Sequence, residues 1–131
     1  MSFIYSLFIS IFNISIKLNS LINEKTKKIV LGRKKTINYI KNNIEDQKVI
    51  WIHVASVGEF EQAKPIIDSL KIKYENKILV SYFSSSTESA VSNYKNVDFH
   101  FYMLSDKEDQ MKLLFDLLNP KILIIIKYEF W

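Results

Sequence analysis

The sequence predicts an α/β domain built on a parallel β-sheet with helices on both faces. Three observations from residue 48 onward support this fold class. Short runs rich in β-branched and aromatic residues alternate with longer segments whose apolar residues recur at helical spacing. The runs at 49–55 and 122–126 are apolar throughout, which is typical of strands buried on both faces. Strands that alternate with helices are normally parallel, because each helix forms the crossover between two strands.

The first half of this region is expected to contain two strands, a helix and a polar turn. The strands are predicted at 49–55 and 77–83, with the helix across 59–74. The apolar face of the helix would be formed by Ala63, Ile66, Ile67, Leu70 and Tyr74. Pro65 is expected in the first turns, because its missing N–H is best tolerated there. A polar turn at 84–94 then leads into a short helix.

The second half is expected to contain a third strand, a helix and a fourth strand. The strands are predicted at 97–103 and 122–126, with the helix at 106–118 and Asp106 as its N-cap. The apolar face of this helix would be formed by Met111, Leu114, Phe115 and Leu118. A doubly wound domain would be expected to close with one more helix, so the end at Trp131 predicts a truncated or split chain.

Composition excludes several kinds of functional site. The chain of 131 residues contains no cysteine, which excludes disulfides, thiolate metal sites and cysteine nucleophiles. Two histidines are too few for a histidine-based metal site unless carboxylates join them. His53 lies within a predicted strand and is expected to be packed and hydrogen-bonded. His100 is expected near an edge of the sheet, in a structural role.

The positive charge of the chain is unevenly distributed. Its net charge is +4, yet residues 1–46 contain eight Lys or Arg against three Asp or Glu, which gives +5. Residues 47–131 contain ten against eleven, which gives −1. Nucleic-acid binding by the globular part is therefore poorly supported, and attraction of the N-terminal part to anionic lipid fits better.

Residues 1–24 are predicted to form an amphipathic helix. Its polar positions recur every three or four residues and form one narrow stripe: Ser2, Ser6, Ser10, Asn13, Lys17, Ser20 and Glu24. The uncharged residues 1–16 would span about 24 Å as a helix, less than the roughly 30 Å hydrocarbon core. A monotopic membrane anchor, a helix buried against the domain and a full span using Leu18–Ile22 are open alternatives. A signal peptide is disfavoured, because no basic residue precedes the apolar run.

A basic connecting segment at 25–47 would join this helix to the Rossmann-like part at 48–131. Its cations are Lys25, Lys27, Lys28, Arg33, Lys34 and Lys35, which would lie against anionic headgroups. Under the positive-inside rule they would place the rest of the chain on the cytoplasmic side of a membrane.

The loop after the first strand carries the strongest candidate site, because ligands bind beyond the carboxyl ends of strands in open α/β sheets. Ser56 is a possible N-cap, and Gly58 would allow a tight turn and a close approach of a ligand. Glu59 falls in the first helical turn, where free N–H groups also favour anions. Its carboxylate can accept a proton from a hydroxyl or simply cap the helix, and the spacing alone favours capping. The dinucleotide fingerprint G-x-G-x-x-G is absent.

Two further segments are expected at the same edge of the sheet. Ser84 and Ser86 belong to a hydroxyl-rich turn that can bind phosphate or sugar, although an ordinary helix start is favoured. After the last strand, Lys127 and Glu129 point the same way along an extended chain. These two side chains can pair, or Lys127 can hold a phosphate.

The stretch IWIHVASVGEFEQAKPIIDSL, residues 50–70, resembles the first strand, loop and helix of bacterial 3-deoxy-D-manno-octulosonic acid (Kdo) transferases. The motif H-A-x-S-x-G-E followed by K-P appears here as HVASVGE with Lys64 and Pro65, and Val54 replaces the usual alanine. These enzymes are glycosyltransferases of lipopolysaccharide core assembly.

A second stretch, NPKILIIIKYEFW at 119–131, resembles a later segment of the same family that ends in an E-x-E-x-W motif. Lys127 replaces the first glutamate of that motif, whereas Glu129 and the tryptophan are retained. The second loop carries Ser86 and Thr87 where the family usually has a glycine in the pair. The similarity covers roughly 48–131.

The resemblance implies a GT-B fold, in which two Rossmann-like domains enclose the active site. This chain would be the N-terminal, acceptor-binding half, and a missing C-terminal domain would hold the donor CMP-Kdo. The acceptor would be a lipid A precursor, no cofactor is implied, and the location would be the cytoplasmic face of the inner membrane. The chain alone would be inactive. The alternative is a non-catalytic, membrane-tethered Rossmann-like binding module or an inactive remnant.

The resemblance also assigns roles to single residues. Glu59 corresponds to the glutamate that acts as general base on the acceptor hydroxyl. Ser56 and Gly58 would shape the pocket around it. The other substrate-binding candidates of this chain are Ser84, Ser86, Lys127 and Glu129.

Overall fold

The computed structural model describes residues 3–44 and 46–127. Within them the chain forms α1 (Phe3–Asn19), α2 (Glu24–Asn43), β1 (Val49–Val54), α3 (Val57–Lys73), β2 (Lys77–Tyr82), α4 (Ser85–Ser92), β3 (Phe99–Tyr102), α5 (Glu108–Leu118) and β4 (Ile122–Ile125). The alternation of strands and helices from residue 48 onward is thus as the sequence predicts.

The four strands form one parallel sheet in the order β3–β2–β1–β4. His53 of β1 pairs in register with Ser81 of β2 and with Ile125 of β4. The strands end nearly level with one another. The loops after β1, β2 and β4 therefore meet at one edge of the sheet, the edge formed by the carboxyl ends of the strands. This edge is where an open α/β sheet binds its ligands.

Helices cover both faces of the sheet, which confirms the predicted Rossmann-like α/β class. On one face, α3 and α4 pack through Phe60, Ala63, Ile67 and Val91 onto alternate residues of β1 and β2. On the other face, α5 and the C-terminal part of α2 enclose Trp51 and Leu79 with Leu114, Leu118 and Ile40. Burying these large side chains on both faces stabilises the sheet by roughly 1.5–3 kcal/mol for each residue.

Helix α2 occupies most of the segment that the sequence predicts as a basic connection, and it packs against the domain. Asn23 caps it, and Thr36 and Ile40 are buried. The helix runs along β3 and closes that edge of the sheet: the Thr36 hydroxyl donates to Tyr102 O at 2.8 Å, and Arg33 Nε donates to Met103 O at 3.0 Å. Covering a strand edge in this way prevents it from pairing with another chain.

The approach of α2 to β3 requires a glycine. A Cβ atom on Gly32 would lie 2.1 Å from Cδ2 of the buried Tyr102 ring, a distance at which one of the two must move. His100 lies on β3, an edge strand of the described sheet, as the sequence predicts. Its Nδ1 is 2.8 Å from the Tyr82 hydroxyl.

Three details of the predicted elements are wrong. Helix α3 begins at Val57, so Pro65 is its ninth residue and lies in the helix interior. Helix α5 begins after Lys107, so Asp106 is not its N-cap. The fourth strand was expected to be fully buried, but Ile122 and Ile125 are 44% and 54% exposed. The reason is that β4 is an edge strand of the described sheet, with β1 beside it.

Helix α1 contacts α2 with the side that carries its polar stripe. The half-buried residues of α1 and the following turn are Ile9, Ser10, Asn13, Ile16 and Ser20. The large apolar residues point away from the domain, and Ile4, Phe8 and Leu18 are 78%, 63% and 61% exposed. A helix of a globular protein normally shows the opposite orientation. The alternative in which the apolar arc is buried against the domain is therefore wrong. Within 3–44 and 46–127, the structure contains no helix with the length and apolarity needed to cross a membrane.

Candidate functional site

Glu59 lies in the first turn of α3 and is held in place by hydrogen bonds with the residues that connect β1 to α3. Ser56 has extended backbone angles and caps α3, because its Oγ accepts from the Glu59 N–H at 3.3 Å. The Glu59 side chain turns back, and its Oε2 accepts from the backbone N–H of Ala55. This arrangement is a variant of the capping box, so the structure shows the capping role that the spacing favours. It also fixes the position of the carboxylate at the sheet edge.

Gly58 leaves the start of α3 uncovered. Its φ is not positive, so the tight turn expected from the sequence is not its structural role. A Cβ atom built on Gly58 would find its nearest heavy atom, Ser56 Oγ, at 3.9 Å. The space in front of this residue is therefore open, and a ligand can approach the first N–H groups of the helix there.

His53 lies beside Glu59 at the end of β1 and is packed and hydrogen-bonded, as the sequence predicts. Its Nδ1 is 2.9 Å from Ser81 Oγ, which also accepts from Trp51 Nε1 at 2.8 Å. Burial lowers the pKa of His53. The carboxylate of Glu59 and a hydrogen bond with the Ser81 backbone raise this pKa, and the ammonium group of Lys127 lowers it. The imidazole is therefore neutral near pH 7.

Glu59 and Lys127 both influence the pKa of His53. Lys127 follows β4 and is exposed, and the adjacent Ile126 N–H donates to His53 O at 3.0 Å. His53 at the carboxyl end of β1 is thus influenced by both the carboxylate of Glu59 and the ammonium group of Lys127. Glu129 lies outside the described residues, so its pairing with Lys127 stays a prediction.

The hydroxyl-rich turn after β2 is an ordinary helix start in its geometry. Ser84 caps α4 by accepting from the Thr87 N–H at 3.2 Å. Its Oγ also lies 2.6 Å from Ser86 Oγ and 3.1 Å from Thr87 Oγ1. The three hydroxyls therefore bind one another, and a substrate contact by Ser84 or Ser86 stays a prediction.

Arg33 and Phe83 are residues at this edge that sequence reasoning did not single out as a site. Phe83 follows β2, and its ring packs edge-on against His53 with the ring centroids 4.9 Å apart. The Arg33 guanidinium lies 5.9 Å from the centroid of the Phe83 ring. The signal for Arg33 was its helical spacing with Ile29 and Thr36, which turn the same side of α2 toward the sheet.

Side chains that could hold a metal ion are not grouped at this edge. In the described part of the chain, no three His, Asp or Glu residues are placed to form such a site. The arrangement of Glu59, His53 and Lys127 instead suits proton acceptance from a hydroxyl and binding of an anion.

The fold defines a Rossmann-like α/β domain, a class of protein in which ligands bind beyond the carboxyl ends of the strands. A family model described as 3-deoxy-D-manno-octulosonic-acid transferase (kdotransferase) matches residues 28–131. The chain therefore belongs to the Kdo transferase family of glycosyltransferases.

Three curated relatives are similar to parts of this chain. A 3-deoxy-D-manno-octulosonic acid transferase of Aquifex aeolicus is 34% identical over 87 residues, 63% of this chain and 23% of the relative. A bifunctional glycosyltransferase/methyltransferase of Fusobacterium nucleatum is 27% identical over 94 residues, 69% of this chain and 14% of the relative. A 3-deoxy-D-manno-octulosonic acid transferase of Haemophilus influenzae is 26% identical over 84 residues, 63% of this chain and 20% of the relative. The chain thus spans less than a quarter of the length of these relatives.

Proposed function

We propose that this chain is the acceptor-binding part of a glycosyltransferase that moves Kdo from CMP-Kdo to a lipid A precursor in lipopolysaccharide core biosynthesis. The observation that carries the proposal is the position of Glu59 in a chain of this family. Its carboxylate is held at the carboxyl edge of the sheet, beside the open approach at Gly58. Two of the relatives are 3-deoxy-D-manno-octulosonic acid transferases, which supports the transfer of Kdo.

In the proposed reaction, Glu59 is the general base. An acceptor hydroxyl oxygen forms a bond to the anomeric carbon of Kdo while the bond from that carbon to the phosphate oxygen of CMP breaks. CMP leaves with the bonding electron pair, and the hydroxyl proton passes to the Glu59 carboxylate. The hydroxyl becomes acidic only as its bond to carbon forms, so an ordinary carboxylate is sufficient. The hydrogen bond from Ala55 orients the carboxylate for this step.

The acceptor is proposed to lie along the edge from α3 to the end of β4. Ser56 and Gly58 would border the reacting hydroxyl, while Lys127 would bind an acceptor phosphate as a point charge. Ser84, Ser86 and Glu129 are the further polar groups proposed to contact sugar or phosphate. CMP-Kdo is assigned to a second Rossmann-like domain, so residues 1–131 alone are expected not to catalyse transfer.

The outward apolar arc of α1 supports a location at the membrane surface, on the cytoplasmic face of the inner membrane. Ile4, Phe8 and Leu18 would enter the headgroup–acyl boundary, as in interfacial amphipathic helices. Exposed cations of α2 would add attraction to anionic lipid: Lys25, Lys27, Lys28, Lys34 and Lys35.

The division of labour can be tested by NMR on the 131-residue chain. Titration with the deacylated disaccharide bisphosphate of a lipid A precursor should shift the amide signals of Ser56, Gly58 and Glu59. Titration with CMP-Kdo should leave them unchanged. A chain that binds CMP-Kdo at these residues but not the disaccharide would contradict the proposal, as would a chain that binds neither.

A further inference from the structure

A cleft of about 470 Å³ lies between α1, α2 and the loops that follow β2 and β3. We infer that it holds one fatty acyl chain of the acceptor glycolipid. This inference rests on the proposed function and deepens it, because it assigns a place to the lipid portion of that substrate. The cleft is mostly apolar, has cations in and beside it, and shares Phe83 with the surroundings of His53.

Most of the exposed surface of the cleft is apolar, although polar side chains also line it: Asn13, Asn19, Thr26, Ser84 and Ser105. Helix α1 contributes Ile9, Phe12 and Ile16, which lie on one side of the helix by their spacing. Ile29 of α2 and Phe83 after β2 form the opposite wall. The distance along α1 from Ile9 to Ile16 is about 10 Å, so the slot suits an extended apolar chain better than a compact polar ligand. Asp106 also lines the cleft and accepts a hydrogen bond from the Tyr5 hydroxyl.

Arg33 brings positive charge to the cleft, and further cations line the cleft beside it. A neighbouring cleft of about 350 Å³ shares Ile16 and Arg33 with the first and adds Lys17 and Lys34. Arg33 is held in place by its bond to Met103 O at 3.0 Å. A mostly apolar slot that contains Arg33, with Lys17 and Lys34 in the adjoining cleft, complements an amphiphile with an acyl chain and a phosphate group, and Asp106 is the one acidic residue that lines the slot.

The cleft is continuous with the candidate active site through Phe83. Phe83 lines the cleft, and its ring also packs on His53 with the ring centroids 4.9 Å apart. Ser84 lines the cleft as well and caps α4 at the same edge of the sheet. An acyl chain in the cleft would therefore place the attached sugar beside the carboxyl ends of the strands. The opposite side of α1 carries the exposed apolar arc, so the cleft lies between the proposed membrane face and Glu59.

The test compares two isoleucines of α1 that lie two residues apart. Ile16→Trp would fill the cleft, whereas Ile14→Trp adds the same side chain at an outward position that is 57% exposed. The full chain is titrated in mixed micelles with a tetra-acylated lipid A precursor and with the same disaccharide bisphosphate after removal of its acyl chains. Wild type and Ile14→Trp should bind the acylated form more than about tenfold more tightly. Ile16→Trp should lose this preference and keep its affinity for the deacylated form.

A preference that persists in Ile16→Trp, or that is absent from the wild type, would overturn the inference. Ile9→Trp is the second filling variant if Ile16→Trp fails to fold. A diazirine in the middle of an acyl chain gives a readout without any variant. It should cross-link to Ile9, Ile16 or Phe83, and cross-links confined to outward residues such as Phe8 would contradict the cleft. Equal binding of both glycolipids would reject the cleft alone, whereas binding of neither would reject the proposed function as well.

Discussion

Glu59 Oε2 accepts a hydrogen bond from the backbone N–H of Ala55, so the carboxylate at the start of α3 is folded back onto the end of β1. One side chain thus completes the cap of a helix and lies at the edge where the substrate is proposed to react. The cap holds the carboxylate in a defined position without a partner from another element. Variants of Glu59 must therefore be judged on stability and on catalysis separately.

The two glycines of the chain should respond to alanine in opposite ways. Gly32→Ala should lower the free energy of unfolding by about 1–3 kcal/mol, because the new methyl group would collide with the Tyr102 ring. Gly58→Ala meets open space within a helix and should raise that free energy by about 0.4–1 kcal/mol. Urea unfolding measures both. Equal stability of the two variants would show that α2 does not approach β3 as described.

The hydrogen bond from Thr36 to Tyr102 O should contribute measurably to the attachment of α2. Thr36→Val keeps the shape of the side chain but leaves a buried carbonyl without this donor, at a cost of about 1–3 kcal/mol. Thr26→Val is the matched control, since the Thr26 hydroxyl accepts from Asn19 at the exposed start of the same helix. The control should change stability by less than about 0.5 kcal/mol. Similar midpoints of urea unfolding for the two variants would contradict the contribution of the hydrogen bond from Thr36 to Tyr102 O.

Stability should fall as the pH drops from 7 to 5, and His53 should account for part of the loss. Burial lowers its pKa below the ordinary value of 6.5, so the unfolded chain binds the proton more readily than the folded one. The loss begins near pH 6.5 and continues until the pH reaches the lower pKa of the folded state. In His53→Asn the unfolding free energy should depend less steeply on pH over this range. An unchanged slope would mean that the imidazole is not buried in neutral form.

His100 is the comparison for this experiment, because burial lowers its pKa as well. His100→Asn should also reduce the slope, and the double variant should reduce it further. Asp98 titrates in a different pH range. Burial raises its pKa, but Lys71, the Ile78 N–H and Lys77 lower it, and the net effect is a lowered pKa. Its contribution is therefore lost only as the pH falls below about 4, which keeps the two effects separate.

Membrane association should depend on the outward side of α1. Deletion of residues 1–22 should move the protein from the vesicle-bound to the soluble fraction in a flotation assay with anionic vesicles. Phe8→Glu should weaken vesicle binding by about tenfold or more, because a charge replaces an apolar side chain at the interface. Ser6→Glu adds the same charge on the polar stripe and should bind vesicles as the wild type does. Retention of the deleted protein on vesicles would contradict the anchor.

The strands and their order along the chain could be predicted because their apolar runs are unambiguous. Helix α2 could not, because its lysines dominate the sequence and its buried side is narrow, with Gly32 and Thr36 among the contacts. The exposure of Ile122 depends on which strand lies at the edge, and hydropathy alone does not contain that information. The amphipathic pattern of α1 could be predicted from the sequence. Which side of the helix faces the domain could not, because the pattern does not determine that orientation.

Part of the candidate site could also be predicted from the sequence. Ser56, Gly58 and Glu59 stand together in the sequence, so their common loop was visible at once. The influence of Lys127 on His53 arises only when β4 pairs with β1. The contact between Phe83 and His53 likewise depends on the pairing of β1 with β2. Long-range pairing, rather than local propensity, assembles these parts of the site.

The most direct test of the account is the rate of Kdo transfer by Glu59→Gln. It should be measured in a complete two-domain protein, or with this chain supplied together with a donor-binding half. Glu61→Gln is the control, because Glu61 lies two residues further along α3 in an exposed ion pair with Lys64 at 2.6 Å. We expect Glu59→Gln to lower the transfer rate by about 10²-fold or more with little change in stability, and Glu61→Gln to retain the wild-type rate. Wild-type turnover by Glu59→Gln would contradict the assignment of Glu59 as the general base.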